Sequence, residues 1–488
     1  MNRLALRAFA VSPVGLLAFI AALVLTAFAM RRGLVAEDAV TLWAGAIGAG
    51  GGGVPIGRII ASYPTLPFFA TTALEFITPA GTPTPALLAA GLMGFLACAF
   101  FRAFRAAGLS LTAAALAALL IVLHPAMLAA CLAGAAEMFL IAFLYLLGRA
   151  LFDLRARTAA PEVMTVSLAL LGLAFSHPIG AAVDIAAVPL LLFAVRPSLI
   201  ANSAFNVILA LVFPTVFAFG AFAYVSWVFP GSGWSFLAAP AESVAGWAAA
   251  FPAFTGSQAV NATLAVAAAL ALGAPVAPAV INWVRERRPL VAPPLVFAGA
   301  VVGAAFITVA TGFFGNPAPL VAAAPILAAV IVARVPLVGR RRTIALILLA
   351  AGWFGGILAV AVVEPRMALQ LRAAIDGSAA EPARLDALSL GGVTANRDGV
   401  MIDTDNAPTV VLGRGQARGL VGPHDPGFAL ALLFRRLDAP FVAVPDPHAA
   451  AGIRDRLNEA FPLLYRDGAP GYRLAYQNKT WRLYARQP

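Results

Sequence analysis

The sequence predicts a membrane all-α bundle of about eleven transmembrane helices, followed by a small α/β domain at the C-terminal end. Three observations predict it. Of 488 residues, 61% are hydrophobic and only 11% charged, whereas about a quarter of a soluble domain is charged. Apolar runs long enough to cross a bilayer recur up to residue 363 and then cease. The arginines between these runs alternate in density from one connection to the next, as loops on the two faces of a membrane do. The net charge of +11 is therefore an orientation signal rather than a nucleic-acid surface.

In chain order the apolar runs are 14–30, 84–101, 109–123, 135–151, 162–176, 179–195, 203–229, 258–284, 291–313, 318–337 and 343–363. The first follows Arg3 and Arg7 and contains Ala27-Phe28-Ala29, a pattern shared with signal cleavage sites. It is long for a signal core, and Arg31 and Arg32 follow it directly, so it is read as a retained helix. With a cytoplasmic N-terminus, fifteen arginines fall on inner connections: Arg3, Arg7, Arg102, Arg105, Arg149, Arg155, Arg157, Arg196, Arg285, Arg287, Arg288, Arg334, Arg340, Arg341 and Arg342. Before residue 364 the outer connections carry only Arg31, Arg32 and Arg58. One missed span would scramble this contrast. The arginine- and alanine-rich usage suggests a bacterial source, which makes the membrane the inner (cytoplasmic) one and the outer face periplasmic. Cys98 and Cys131 lie in or beside apolar runs and read as small core residues.

Residues 1–363 thus form the bundle, with two long outer loops at 31–83 and 230–257; the second carries Trp234 and Trp247, which suit the interface. Two outer hairpins are short and both contain His-Pro, at His124-Pro125 and His177-Pro178, where proline ends the incoming helix. Asp184 lies inside the run 179–195, where a charge is costly and usually faces a cavity or a partner. Residues 364–488 form the outer domain. Val400-Met401-Ile402 and Phe441–Val444 read as short strands, 449–461 as a helix with Ile453, Leu457 and Phe461 on one face, and Tyr472–Tyr476 and Trp481–Tyr484 as a hairpin. Asn478-Lys479-Thr480 matches a glycosylation sequon, but a tight turn explains it better.

The first outer loop is the richest in chemistry. It opens with Glu37-Asp38-Ala39, continues through an amphipathic stretch with Leu42, Trp43 and Ile47, and then through Gly48–Gly53, Arg58 and Ser62-Tyr63-Pro64-Thr65-Leu66. An acidic pair at a membrane surface can serve as general base or bind a cation; it can also simply cap a helix N-terminus.

This loop resembles that of the GT-C class of polyprenyl-phosphate-sugar-dependent glycosyltransferases, such as the protein mannosyltransferases and the lipid A aminoarabinose transferases. In that class an acidic motif follows the first helix, and an interfacial helix and a Tyr/Lys-Pro-Pro-Leu-like segment come next. Glu37-Asp38 and Tyr63-Pro64-Thr65-Leu66 stand at the matching places, and Glu137 matches an acid at the start of the fourth helix. The C-terminal layout is also similar. The acidic order here is Glu-Asp rather than Asp-Glu, and the cation that often precedes Pro-Pro is absent, Arg58 being the nearest.

The resemblance implies transfer of a sugar to a lipid, glycan or protein acceptor, with loss of polyprenyl phosphate. Asp38 is the expected base, with Glu37 and Glu137 as further catalytic acids. Arg58, Arg31 and His124 are candidates for the leaving phosphate, and Tyr63, Trp234 and His177 for the sugar. Any divalent cation, Mg2+ or Mn2+, would fall to Asp38 and Glu137. Two other readings stand beside this one: a secondary transporter built around Asp184, and a non-catalytic, transferase-like subunit of a membrane complex.

Overall fold

The computed structural model describes residues 12–51, 59–79, 81–157, 159–228, 235–237, 255–283, 290–335, 339–363, 372, 376, 382–449 and 452–487. The chain divides into two compact units. One comprises Met1–Ala27, Tyr63–Leu66 and Ala86–Arg372; the other comprises Phe28–Ser62, Pro67–Pro85 and Ala373–Pro488.

The first unit is helical. Helical segments fall within each of the expected apolar runs, but among the described residues only six helices are long and apolar enough to cross a membrane: Pro13–Arg31, Thr84–Ala106, Ala135–Arg157, Ala204–Val228, Ala292–Thr311 and Arg340–Val363. Two more positions hold bent pairs, Leu111–Val122 with Pro125–Ala133 at 53° and Gln258–Gly273 with Val276–Trp283 at 74°. Ala160–Ser176, Pro178–Ala187 and Ala318–Arg334 are shorter. Six to eight spans are therefore supported by length and composition. This is the architecture of a multi-pass membrane protein, and the exposed side chains agree. Phe205 is 74% exposed, Phe217 65% and Trp227 65% on one long helix, a surface that water would not tolerate but lipid tails accept.

The bends have local causes. Pro275 and Pro125 each remove a backbone donor and crowd the preceding turn. The carbonyl of Leu123, released at the first bend, accepts the Trp353 indole N–H at 2.7 Å, so no bare acceptor is left in an apolar interior. The helix Arg340–Val363 presents Gly352, Gly355 and Gly356 to both bends. A Cβ at Gly355 would fall 2.1 Å from the Leu272 carbonyl oxygen, and one at Gly356 would fall 2.4 Å from the His124 ring. Small residues permit this close helix approach.

His124 is consequently not in an outer hairpin, as expected from its proline, but at the bend of a continued helical segment. That segment ends at Gly134, whose φ of 129° only glycine adopts readily. His177 does occupy a hairpin. Gly180 lies so close to the Leu173 carbonyl that a Cβ would come within 2.0 Å of it, which folds Pro178–Ala187 back against Ala160–Ser176.

The second unit contains a five-stranded sheet: β1 Val400–Met401, β2 Leu420–Val421, β3 Phe441–Pro445, β4 Tyr472–Gln477 and β5 Trp481–Arg486. The order is β2-β1-β3-β5-β4, with β1, β2 and β3 parallel and β5 antiparallel to both β3 and β4. Helices Pro408–Arg414 and Pro426–Phe434 connect the parallel strands. Val400, Ala443 and Leu483 are buried on one face, and Met401, Val442, Val444 and Tyr484 on the other. The helix expected over 449–461 is confined to Arg456–Ala460. Leu457 is buried, but Ile453 precedes the helix and is 68% exposed. Asn478 makes the expected tight turn: its Oδ1 accepts from the Thr480 and Trp481 amides at 3.1 and 2.8 Å. Its Nδ2 donates to the Asp386 carbonyl.

The helix Glu37–Gly50, from the segment between the first two apolar helices, belongs to this same unit. Ala44 and Ile47 bury against Val411, with Trp43, Leu412, Ala417 and Leu420 around them.

Candidate functional site

The helix Glu37–Gly50 begins with its two acids in the first turn, where the amide dipoles favour negative charge. Both side chains are exposed. Nearby protein mass, and next the Glu37 charge, hold the Asp38 carboxyl above the ordinary aspartate value. Asp38 is thus accessible yet more basic than a free aspartate, which suits a proton acceptor.

Asp38, Thr41, Gly45 and Gly48 follow one another at helical spacing on a single face. The last three line a cavity of about 430 Å³. Ser62 and Phe68 form part of its wall, and the rest comes from the sheet: Thr404, Asp405, Gly422, His424 and Asp425 among others. These latter residues leave the C-terminal ends of β1 and β2, the edge at which parallel sheets commonly bind ligands.

The polar groups there are tied together. Asp405 is 3.2 Å from His424 Nε2 and 3.0 Å from an Arg456 guanidinium nitrogen. The Gly422 amide donates to Asp425 at 2.6 Å. Asp403, fully buried, accepts from Asn406, from the Arg456 amide and from the Arg456 guanidinium. The sequence alone does not single out His424, because its position depends on two adjacent strands whose pairing the sequence does not display. The signal that could have found the region was Asp403-Thr404-Asp405 directly after a strand.

The helical unit gathers a second group. The Tyr63 hydroxyl donates to the Ala174 carbonyl at 2.7 Å. Its ring packs among Phe219, Phe222 and Phe236 at centroid distances of 4.9–6.3 Å, with Phe175 against two of them. Burial, and secondarily the Asp184 charge, push the Tyr63 phenol well above its usual value. Asp184 is 8% exposed, and among the described residues neither of its oxygens has a hydrogen-bond partner. Glu137 is 4% exposed, with an oxygen 4.0 Å from His177 Nε2. His177 Nδ1 accepts from the Ile179 amide, capping the following helix.

The remaining expected residues fall elsewhere. Both His124 nitrogens are engaged, Nδ1 accepting from the Ala126 amide and Nε2 facing the Gly352 carbonyl at 3.1 Å. Arg31 is exposed at the last position of its helix. Arg58, Trp234 and Trp247 lie outside the described residues. Asp38 and Glu137 belong to different units. Among the described residues no three His, Cys, Asp or Glu side chains gather as a metal site.

Compared with protein-family models and with curated proteins, the chain matches none.

Proposed function

We propose that the chain is an inverting membrane glycosyltransferase of GT-C type. It moves a sugar from a polyprenyl-phosphate donor to an envelope lipid, glycan or protein acceptor at the outer face of the bacterial inner membrane, with eleven helices in the membrane and the α/β domain in the periplasm. The observation that carries this reading is Asp38: an accessible carboxylate with a raised pKa, on the face of a helix that also walls a cavity with the C-terminal sheet.

In the proposed reaction Asp38 takes the proton of the acceptor hydroxyl. The acceptor oxygen attacks the anomeric carbon as the bond to the phosphate oxygen breaks, and the polyprenyl phosphate leaves with that electron pair. A carboxylate of raised pKa is a stronger base than a free aspartate. Supplying a labelled polyprenyl-phosphate sugar to the purified full chain tests this. Asp38→Asn should slow donor consumption by about 100-fold or more, with smaller losses for Glu37→Gln and Glu137→Gln. A wild-type protein that neither binds nor consumes any such donor would end the proposal.

Asp184 favours a second reading, a secondary transporter, because an unpartnered acid inside a bundle commonly marks an ion or proton path. Uptake into proteoliposomes that disappears in Asp184→Asn would support it, and uptake unaffected by that change would remove it.

A further inference from the structure

A cavity of about 960 Å³ opens in the helical unit, away from every residue discussed above as a site. Its apolar part lies along Pro13–Arg31 and Thr84–Ala106. Leu16 and Phe95 border it and are 50% and 59% exposed, as side chains facing lipid are. Gly91 leaves part of its wall empty, with nothing within 4 Å of where a Cβ would stand. Its polar part is formed by three arginines from three separate helices: Arg102, Arg149 and Arg334, with Tyr145 beside them. Among the described residues Asp153 moderates this charge, 2.7 Å from Arg334 and 3.8 Å from Arg149.

We propose that this cavity binds an anionic phospholipid of the surrounding leaflet. Its phosphodiester lies among Arg102, Arg149 and Arg334, and an acyl chain lies along the faces carrying Leu16, Gly91 and Phe95. Charge complementarity selects the headgroup: each guanidinium carries five donors in a fork that matches phosphate oxygens. Basic pockets between spanning helices are a recurrent means of holding anionic lipid headgroups. The apolar half selects a lipid over a soluble anion, since free phosphate gains nothing from it. The site does not depend on the glycosyltransferase reading.

Native mass spectrometry of the full chain, offered equimolar phosphatidylglycerol and phosphatidylcholine, tests the proposal. The wild type should retain phosphatidylglycerol in preference. The double variant Arg102→Gln/Arg149→Gln should lose that preference by roughly thirtyfold, the effect of two cationic contacts. Arg334 is left in place so that Asp153 keeps its partner. Gly91→Trp fills the apolar half without altering charge and should lower occupancy by both lipids; it also decides the matter if the double variant does not fold. Equal retention of the two lipids by wild type would overturn the proposal. So would a preference that survives the arginine changes, unchanged retention in folded Gly91→Trp, or inorganic phosphate alone competing as well as the lipid does.

Discussion

Two buried aspartates, one in each unit, are treated in opposite ways. Asp403 in the α/β unit is completely buried and is met by the Asn406 amide, the Arg456 backbone N–H and the Arg456 guanidinium. Asp184 in the helical unit is nearly as deep, yet among the described residues it has no hydrogen-bond partner for either oxygen. The first is a structural tie between the loop after β1 and the helix after β3. The second costs stability without any visible structural return. Such a conflict between local energetics and the fold is characteristic of positions kept for activity.

The largest stability effect should come from breaking the satisfied carboxylate. Asp403→Ala removes three acceptor contacts and leaves the Arg456 guanidinium, among the described residues, with Asp405 as its hydrogen-bond acceptor. A loss of about 3–5 kcal/mol is expected, read as a lower denaturant midpoint with an unchanged slope. A loss below about 1 kcal/mol would mean that Asp403 is no tie.

Asp455 stands between the two cases. It is fully buried, and its Oδ1 caps the helix Arg456–Ala460 by accepting from the Asn458 amide at 2.8 Å, but among the described residues Oδ2 has no hydrogen-bond partner. Burial is the main cause that raises its pKa to about 7; the Asn458 hydrogen bond opposes this and the Asp403 charge adds to it. Because the folded value lies above the unfolded one, the native state holds the extra proton between about pH 4 and pH 7. Stability should therefore fall as pH rises through that window and level off above it. Asp455→Asn keeps a capping oxygen and should flatten this dependence in thermal melts from pH 4 to pH 8. An unaltered profile would assign the dependence to other groups.

Asp184→Asn should leave thermal stability unchanged or raise it by about 1 kcal/mol, while turnover or transport falls. Strong destabilisation would show instead that Asp184 is a structural residue like Asp403. The smallest stability effect is expected for Asp38→Asn, an exposed change worth within about 0.5 kcal/mol, so any loss of sugar transfer there would report chemistry rather than folding.

Much of this was legible in the sequence because it depends on local properties. Apolar runs mark the helix positions, since lipid demands both an apolar surface and internally satisfied backbone. The strands at Val400, Phe441, Tyr472 and Trp481 follow from alternation and turn residues. The capping role of His177 is local too, since its Nδ1 accepts from the amide two residues on. The same His-Pro dipeptide, however, yields a bend at His124 and a hairpin at His177. What separates them lies far away in the chain: Gly352 and Gly356 make room for one ring, and Gly180 lets the other helix fold back on Leu173.

The candidate sites divide along the same line. The sequence by itself determined a membrane-embedded helical chain with an α/β tail, and it singled out Asp184 by residue type and position, whereas Asp38, Glu137 and Tyr63 stood out mainly through resemblance to the GT-C class. Only the tertiary structure decided that Gly45 and Gly48 share a cavity wall with His424 and Asp405, that Tyr63 sits in a cage of phenylalanines, and that three arginines from distant helices converge on one cleft. The reason is physical. Hydrophobicity, capping and turn preference act within a few residues, whereas cavities and charge clusters arise where segments far apart in sequence pack, and that packing depends on small residues and strand order that no local pattern reveals.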